Sequence, residues 1–231
     1  MVLFVTGTDT GIGKTFVCGL LVLTWSRQGH RVNAQKWVST GDPSGSADMA
    51  VVYNMLGRTQ APVPGSDTCP YCFSLPASPH LAAEREGASI SRGRLRDATR
   101  SLAGRSEILV IEGVGGVLVP LRRDLLLADM MAELALPALI VARSGLGTLN
   151  HTLLTIEALA GRGVPVLGVL LNSLGGEDPV IIEDNRRTLA ELGGVEVFGP
   201  LPRVSGQEEA LRFIGPVADR LRQLLEDYAW T

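Results

Sequence analysis

The 231-residue sequence predicts an α/β protein, a mostly parallel β-sheet with helices on both faces, and three observations carry that expectation. Runs such as residues 2–5, 108–111 and 137–142 are continuously apolar rather than alternating, as strands buried on both faces must be. They alternate along the chain with longer segments of helical spacing, separated by short glycine turns, as strands linked by crossover helices do. The residues with chemistry to offer, Lys14, Lys36, Glu112, Gly147 and Asn172, end or follow strands, where an open parallel sheet forms its ligand crevice.

The first strand runs straight into Gly7-Thr8-Asp9-Thr10-Gly11-Ile12-Gly13-Lys14-Thr15, and an apolar segment, residues 16–23, follows. Strand, glycine-rich turn and helix make a phosphate-binding loop and a P-loop NTPase fold. Gly11 and Gly13 let successive N–H groups turn toward one anion, and the helix points its positive end at it. Lys14 reaches the outer phosphates, and the Thr15 hydroxyl can ligate Mg²⁺. The general pattern wants glycine where Thr8 stands and finds Gly7 one place early.

A second strand is expected over 30–38, with Lys36 near its C-terminal end, then a loop rich in Gly, Ser and Pro over 39–46 that carries Thr40. A helix starts near Ser46 and places Asp48 in its first turn, either as an acid favoured by the helix dipole or as a metal ligand. Residues 57–80, with prolines at 62, 64, 70, 76 and 79, read as a long functional loop, a lid or a surface excursion. Within it Cys69-Pro70-Tyr71-Cys72 is a single C-x-x-C, half a zinc site and without the helix start of a redox motif; the two read as ordinary loop cysteines. His80 begins a helix and reads as structural, and the charges from Arg92 to Arg105 read as a solvated helix face.

The buried strand over 108–111 ends in Glu112, followed by Gly113-Val114-Gly115-Gly116. A carboxylate emerging there is where phosphate-loop proteins hold Mg²⁺; aspartate is the commoner residue, and a structural salt bridge is the other reading. After the strand over 137–142, glycines lead into helical spacing through Leu149, Leu153, Ile156 and Leu159, so a second unpaired helix start stands ready for a carboxylate, unless Thr148 or Asn150 merely caps it. A strand over 164–171 ending at Asn172, a helix over 182–192, a short strand over 195–198, the turn Pro200-Leu201-Pro202-Arg203-Val204 and a last helix over 215–228 complete the chain.

Composition narrows the function. The length suits one domain, residues 1–231, with a full core. Hydrophobic residues are 45% and charged residues 19%, without eighteen consecutive apolar residues or a basic leader, so a soluble, cytoplasmic protein is expected. A net charge of -3 gives no electrostatic footprint for nucleic acid or an anionic membrane, which leaves small-molecule chemistry. Of 21 basic residues only Lys14 and Lys36 are lysine. A flexible ammonium can follow a phosphate through a reaction better than a planar guanidinium, and one of the pair already sits in the phosphate loop, which makes Lys36 a catalytic candidate.

Together the residues resemble the dethiobiotin synthetase family, ATP-dependent carboxylases that close the ureido ring in biotin synthesis. The resemblance rests on V-T-G-T-D-T-G-I-G-K-T (5 to 15), K-W-V-S-T-G (36 to 41), S-P-H (78 to 80), E-G-V-G-G (112 to 116), L-G-T-L-N-H (146 to 151) and L-L-N (170 to 172), in order and across nearly the whole chain. It also accounts for Thr8. It implies that Gly11, Ile12, Gly13, Lys14, Thr15 and Phe16 bind ATP phosphates with Gly113, Val114 and Gly115 nearby, that Thr15, Asp48 and Glu112 hold Mg²⁺, and that adenine lies near Asn172, Ser173, Pro202, Arg203 and Val204. Lys36, with Lys14, is cast as catalytic beside a carbamate and the γ-phosphate. Thr10 and Thr40 are implied substrate contacts, and Leu146, Gly147 and Asn150 bind the carboxylate of 7,8-diaminononanoate from the other subunit of a homodimer. The implied reaction takes CO₂ and ATP to dethiobiotin, ADP and phosphate, with no covalent Ser, Cys or His, and no nucleophilic triad is visible. Trp37 stands where relatives often have proline, a change able to reshape the pocket; Thr40 replaces the usual serine and Gly11 an occasional carboxylate.

Two other readings share the fold. A nucleotide-switched partition or site-placement ATPase typically carries a second lysine early in the phosphate loop, where this chain has Asp9, and basic or amphipathic elements that are not seen. A related amide-forming or carboxylating ligase with a different amine or acid is the other.

Overall fold

A computed structural model describes residues 1–42, 44–58, 63–204 and 206–228; Pro62 of the irregular segment lies outside them. In chain order the elements are β1 (Val2–Gly7), α1 (Lys14–Arg27), β2 (Val32–Lys36), β3 (Val38–Thr40), α2 (Ala47–Met55), β4 (Tyr71–Phe73), α3 (Pro79–Arg85), α4 (Arg92–Ala103) and β5 (Ile108–Glu112). They continue with β6 (Pro120–Arg122), β7 (Leu125–Leu126), α5 (Leu127–Glu133), β8 (Ala138–Arg143), α6 (Thr148–Ala160), β9 (Val166–Asn172), α7 (Pro179–Gly193), β10 (Val197–Leu201) and α8 (Gln207–Glu226).

Six strands form one sheet in the order β10-β9-β8-β1-β5-β2, and every neighbouring pair is parallel. Because side chains alternate along a strand, a sheet covered on both faces needs apolar residues at every position. In β1, Val2 and Phe4 enter one core while Leu3 and Val5 enter the other; in β5, Leu109 and Ile111 part from Ile108 and Val110 in the same way. Helices α1, α2 and α8 supply the second core, and α3 to α7 border the first. Helix α1 is apolar nearly all round, with Val17, Leu20, Leu21, Val22 and Trp25 buried, each contributing about 1.5–3 kcal/mol of transfer free energy. Its Trp25 indole N–H donates to the Ala218 carbonyl at 3.2 Å, which fastens α1 to α8.

Several elements depart from the sequence expectations. The expected strand over 30–38 is two: β2 pairs with β5, the chain turns at Trp37, and β3 leaves the main sheet to pair in parallel with β4. Trp37 does not enter the ligand cavity. It is buried edge-on to Phe4, ring centroids 4.9 Å apart at 61°, and its Nε1–H faces Gln35 Oε1 at 3.1 Å and Thr99 Oγ1 at 3.0 Å. The last helix begins at Gln207 rather than 215, with Pro216 inside it on the exposed side, while Ala210, Ile214, Ala218, Leu221 and Leu225 form an unbroken buried stripe. That stripe offsets the hydrogen bond Pro216 cannot make. The hairpin β6–β7 and helix α5 have no counterpart in the sequence expectations, and α7 starts three residues earlier, capped by Asp178 accepting from the Val180 N–H at 2.8 Å.

Candidate active site

Strand β1 lies between β5 and β8, where successive crossovers change direction, so the turn after it opens onto the crevice of the sheet. Gly11 and Gly13 adopt positive φ of 72° and 96°, the conformation that lets consecutive N–H groups face one point. Helix α1 begins there with no side-chain cap, so its first N–H groups remain available to an anion. A Cβ at Gly13 would collide with the Asn172 amide, whose Nδ2–H donates to the Ile12 carbonyl at 2.8 Å; the end of β9 thereby holds the loop in shape.

Lys14 at the start of α1 and Lys36 at the end of β2 converge on the site but are held differently. Lys14 Nζ donates to the Asp9 carbonyl at 2.7 Å, and burial with the Lys36 charge lowers its pKa. Among the described residues its cation has no carboxylate in hydrogen-bond contact, as suits a group that awaits phosphate. Lys36 is almost fully buried, 2.5 Å from Asp48 Oδ2, 2.8 Å from Glu112 Oε1 and 3.2 Å from the Gly113 carbonyl. Burial alone would lower its pKa, but Glu112 and Asp48 outweigh burial and raise it, so the group stays cationic. The same cation, with the Thr15 hydroxyl, lowers Asp48 against the effect of burial, whereas Glu112 is pushed up by its deeper burial and by Asp48.

Thr15 Oγ1 stands 2.9 Å from Asp48 Oδ1 and 2.9 Å from Glu112 Oε1. Glu112 Oε2 is buried and accepts no hydrogen bond from the described residues. A hydroxyl and two carboxylates, one of which keeps an orphaned oxygen, are hard oxygen donors, the set that suits Mg²⁺, and they fit the ion. This cluster opens into a cavity of about 910 Å³. Of the expected residues, Thr10, Gly11, Gly13, Lys14, Thr15, Phe16, Lys36, Thr40, Asp48, Glu112, Val114 and Gly115 line it. Ile12 and Gly113 face the cores instead, Ile12 as a buried side chain and Gly113 against Phe4 and Leu127.

Sequence reasoning missed the far wall, made by Val38, Ser39, Val51, the 76–79 turn and Val119. Prolines flanking Ala77 and Ser78 were the available signal; which surface they face depends on β4 pairing with β3, and no local pattern encodes that. Asn172, Ser173 and the 202–204 turn do not line this cavity but gather at one corner, where the Ser173 N–H donates to the Leu201 carbonyl at 2.9 Å and the Arg203 side chain lies beside Gly175. Leu146 is exposed, Gly147 takes φ 88° at the start of α6, and Asn150 borders a separate cavity of about 400 Å³ with Leu153, Leu154 and Leu192. Within one chain, then, these three lie apart from the phosphate-loop cavity.

Asp9 turns away from the cavity floor. Its Oδ1 accepts from the Thr10 N–H at 2.7 Å and its Oδ2 stands 3.4 Å from Arg143 Nη2. Cys69 is buried and Cys72 half-buried in β4, with sulfurs 3.1 Å apart rather than scattered in a loop, and no metal-ligating cluster of three or more such side chains occurs among the described residues. None of the described helices is long and apolar enough to cross a membrane.

A family model described as an AAA domain matches residues 1–210. The chain is 41% identical over 216 residues to the ATP-dependent dethiobiotin synthetase BioD of Anaeromyxobacter dehalogenans (strain 2CP-C), covering 93% of this chain and 96% of the relative. It is 35% identical over 203 residues to the protein of that name from Methanocaldococcus jannaschii, covering 85% and 92%. Among solved structures it is similar to the MinD cell division protein of Aquifex aeolicus (TM-score 0.56, 14% identity, 97% of each chain) and to apo McdA of Cyanthece (TM-score 0.59, 14% identity, 97% and 98%). At such identity these structures speak for the fold, the P-loop NTPase fold, and for nothing finer.

Proposed function

The chain belongs to the dethiobiotin synthetase family and is an ATP-dependent cyclo-ligase, and from that premise we propose that it carboxylates 7,8-diaminononanoate with CO₂ and closes the ureido ring at the expense of ATP, releasing dethiobiotin, ADP and phosphate. The observation that carries this reading is one cavity in which the phosphate loop, Lys36, Asp48, Glu112 and Thr40 meet.

In the proposed sequence, an amine of the substrate adds to CO₂ and loses a proton to give a carbamate. A carbamate oxygen then attacks the γ-phosphorus and ADP leaves; the second amine attacks the activated carbon, and phosphate departs as the ring closes. Both nucleophiles belong to the substrate, so the protein has to position the reactants and neutralise charge. Loop N–H groups and Lys14 hold the phosphates. Lys36, fixed by Asp48 and Glu112, presents a permanent cation where the carbamate and the transferred phosphoryl group gain negative charge. Thr15, Asp48 and Glu112 would hold Mg²⁺, which supplies further neutralisation of phosphate charge when bound. Thr10 and Thr40 contact the diamine, the corner at Asn172, Ser173 and 202–204 receives adenine, and a second subunit brings its 147–150 helix start to the substrate carboxylate.

The test is phosphate release from Mg-ATP and bicarbonate with and without 7,8-diaminononanoate, while dethiobiotin is followed by mass. Diamine-dependent release matched one to one by product is expected. ATP turnover that ignores the diamine and yields no dethiobiotin would overturn the substrate assignment while leaving the fold intact.

A further inference from the structure

Cys69 and Cys72 do not enter the reaction, yet their sulfurs stand 3.1 Å apart, closer than two unrelated side chains normally place them. Their surroundings differ. Cys69 is wholly buried just before β4, and its thiol faces both Cys72 Sγ and the Tyr71 carbonyl at 3.4 Å. Cys72 is half-buried within β4, where solvent reaches it. The Cys69 thiol and the Gly65 N–H support a thiolate on Cys72 and lower its pKa, against the effect of burial. The Cys72 thiolate also raises Cys69, which is buried as well. Solvent reaches Cys72 and not Cys69, which places Cys72 where an oxidant arrives and Cys69 behind it as the partner able to resolve. The pair also adjoins the active site: the Lys36 N–H donates to the Thr68 carbonyl at 2.8 Å, and Cys72 pairs in register with Ser39 of the cavity wall.

We propose that Cys69 and Cys72 form a peroxide-reactive dithiol that converts reversibly to an intrachain disulfide. The Cys72 thiolate attacks one oxygen of hydrogen peroxide, giving a sulfenic acid as hydroxide leaves. The Cys69 sulfur then attacks Cys72 Sγ; the S–S bond forms, the S–O bond breaks, and the released hydroxyl takes the Cys69 proton as water. Two thiols and one peroxide give one disulfide and two waters, and a small dithiol reverses the step by exchange.

The full chain treated with dilute hydrogen peroxide, alkylated and digested with trypsin tests this, because both cysteines fall in the peptide of residues 59–85. A peptide about 2 Da lighter than the bare dithiol form and free of alkyl groups is expected after peroxide, whereas dithiothreitol before alkylation should restore the doubly alkylated peptide of the untreated control. In Cys69→Ser the sulfenic acid should accumulate on Cys72 and be trapped by dimedone, whereas Cys72→Ser should give no dimedone adduct on Cys69. A wild-type peptide still doubly alkylated after peroxide, or dimedone labelling on Cys69 instead of Cys72, would overturn the proposal. The wild-type measurement stands even where a serine variant folds poorly, and none of these readouts depends on which substrate the site accepts.

Discussion

Lys14 is held by one backbone carbonyl, whereas Lys36 is held by two carboxylates and a carbonyl, so their removal has different consequences. Lys14→Ala takes away the cation meant for the phosphates and should weaken nucleotide binding and turnover together. Lys36→Ala should lower turnover by roughly 10²–10³-fold, the usual effect of deleting one preorganised charge, while nucleotide affinity measured by calorimetry changes only about threefold. Full activity in Lys36→Ala would remove that residue from the mechanism. At the corner proposed for adenine, Glu177 accepts from Ser173 Oγ at 2.7 Å, Ser144 Oγ at 3.2 Å and the N–H groups of Leu174 and Gly175 at 2.8 and 2.9 Å. Burial would raise its pKa, but these donors outweigh burial and hold it down to about 2. A carboxyl lowered on folding contributes stability above its ordinary value near 4.5 and loses it as pH falls toward 2. Glu177→Gln should therefore cost about 1 kcal/mol at pH 7, discounted for solvent screening, a drop of about 2–4 °C in Tm that shrinks as pH falls from the ordinary carboxyl value and is mostly lost at pH 2.

At the scale of elements, the phosphate loop is the part most sensitive to a single methyl group. Gly13→Ala meets both a left-handed φ of 96° and the Asn172 amide. It should cost about 1–3 kcal/mol in stability and abolish ATP binding in an equilibrium titration, with the secondary structure unchanged by circular dichroism. The same loop, β1, β5, β8 and the helix around Asp48 were legible in the sequence because their signals are local: glycine spacing, unbroken apolar runs, a capping serine. Ser46 accepts from the Met49 N–H as the start of α2 requires. What was not legible depended on partners far along the chain. The split at Trp37 follows from β3 choosing β4 instead of β5, and the helix expected from 215 reaches back to Gln207 because its stripe on both sides of Pro216 is buried against α1 and the sheet. For the site, Lys36, Asp48 and Glu112 could be named individually, but their contact within 2.8 Å through Lys36 Nζ is a product of β2 lying beside β5.

For the whole molecule, the separation of Leu146, Gly147 and Asn150 from the phosphate-loop cavity bears on assembly. If the carboxylate site comes from a second subunit, Lys36→Ala and Asn150→Ala are each impaired alone, but a mixed dimer carries one site with both residues intact. Random pairing of equal amounts should then restore about a quarter of wild-type turnover, whereas sites completed within one chain would leave the mixture as inactive as its components.

The burial of α1 reaches beyond stability. The helix that begins at Lys14 is packed between the sheet and α2 and α8, and the preceding turn is tethered at Ile12 by Asn172. Its anion-facing amides are consequently frozen in place before any nucleotide arrives. Capture of phosphate involves no folding of the cradle, so almost none of the binding free energy is dissipated in ordering the chain, and nearly all of it remains for orienting the γ-phosphoryl group.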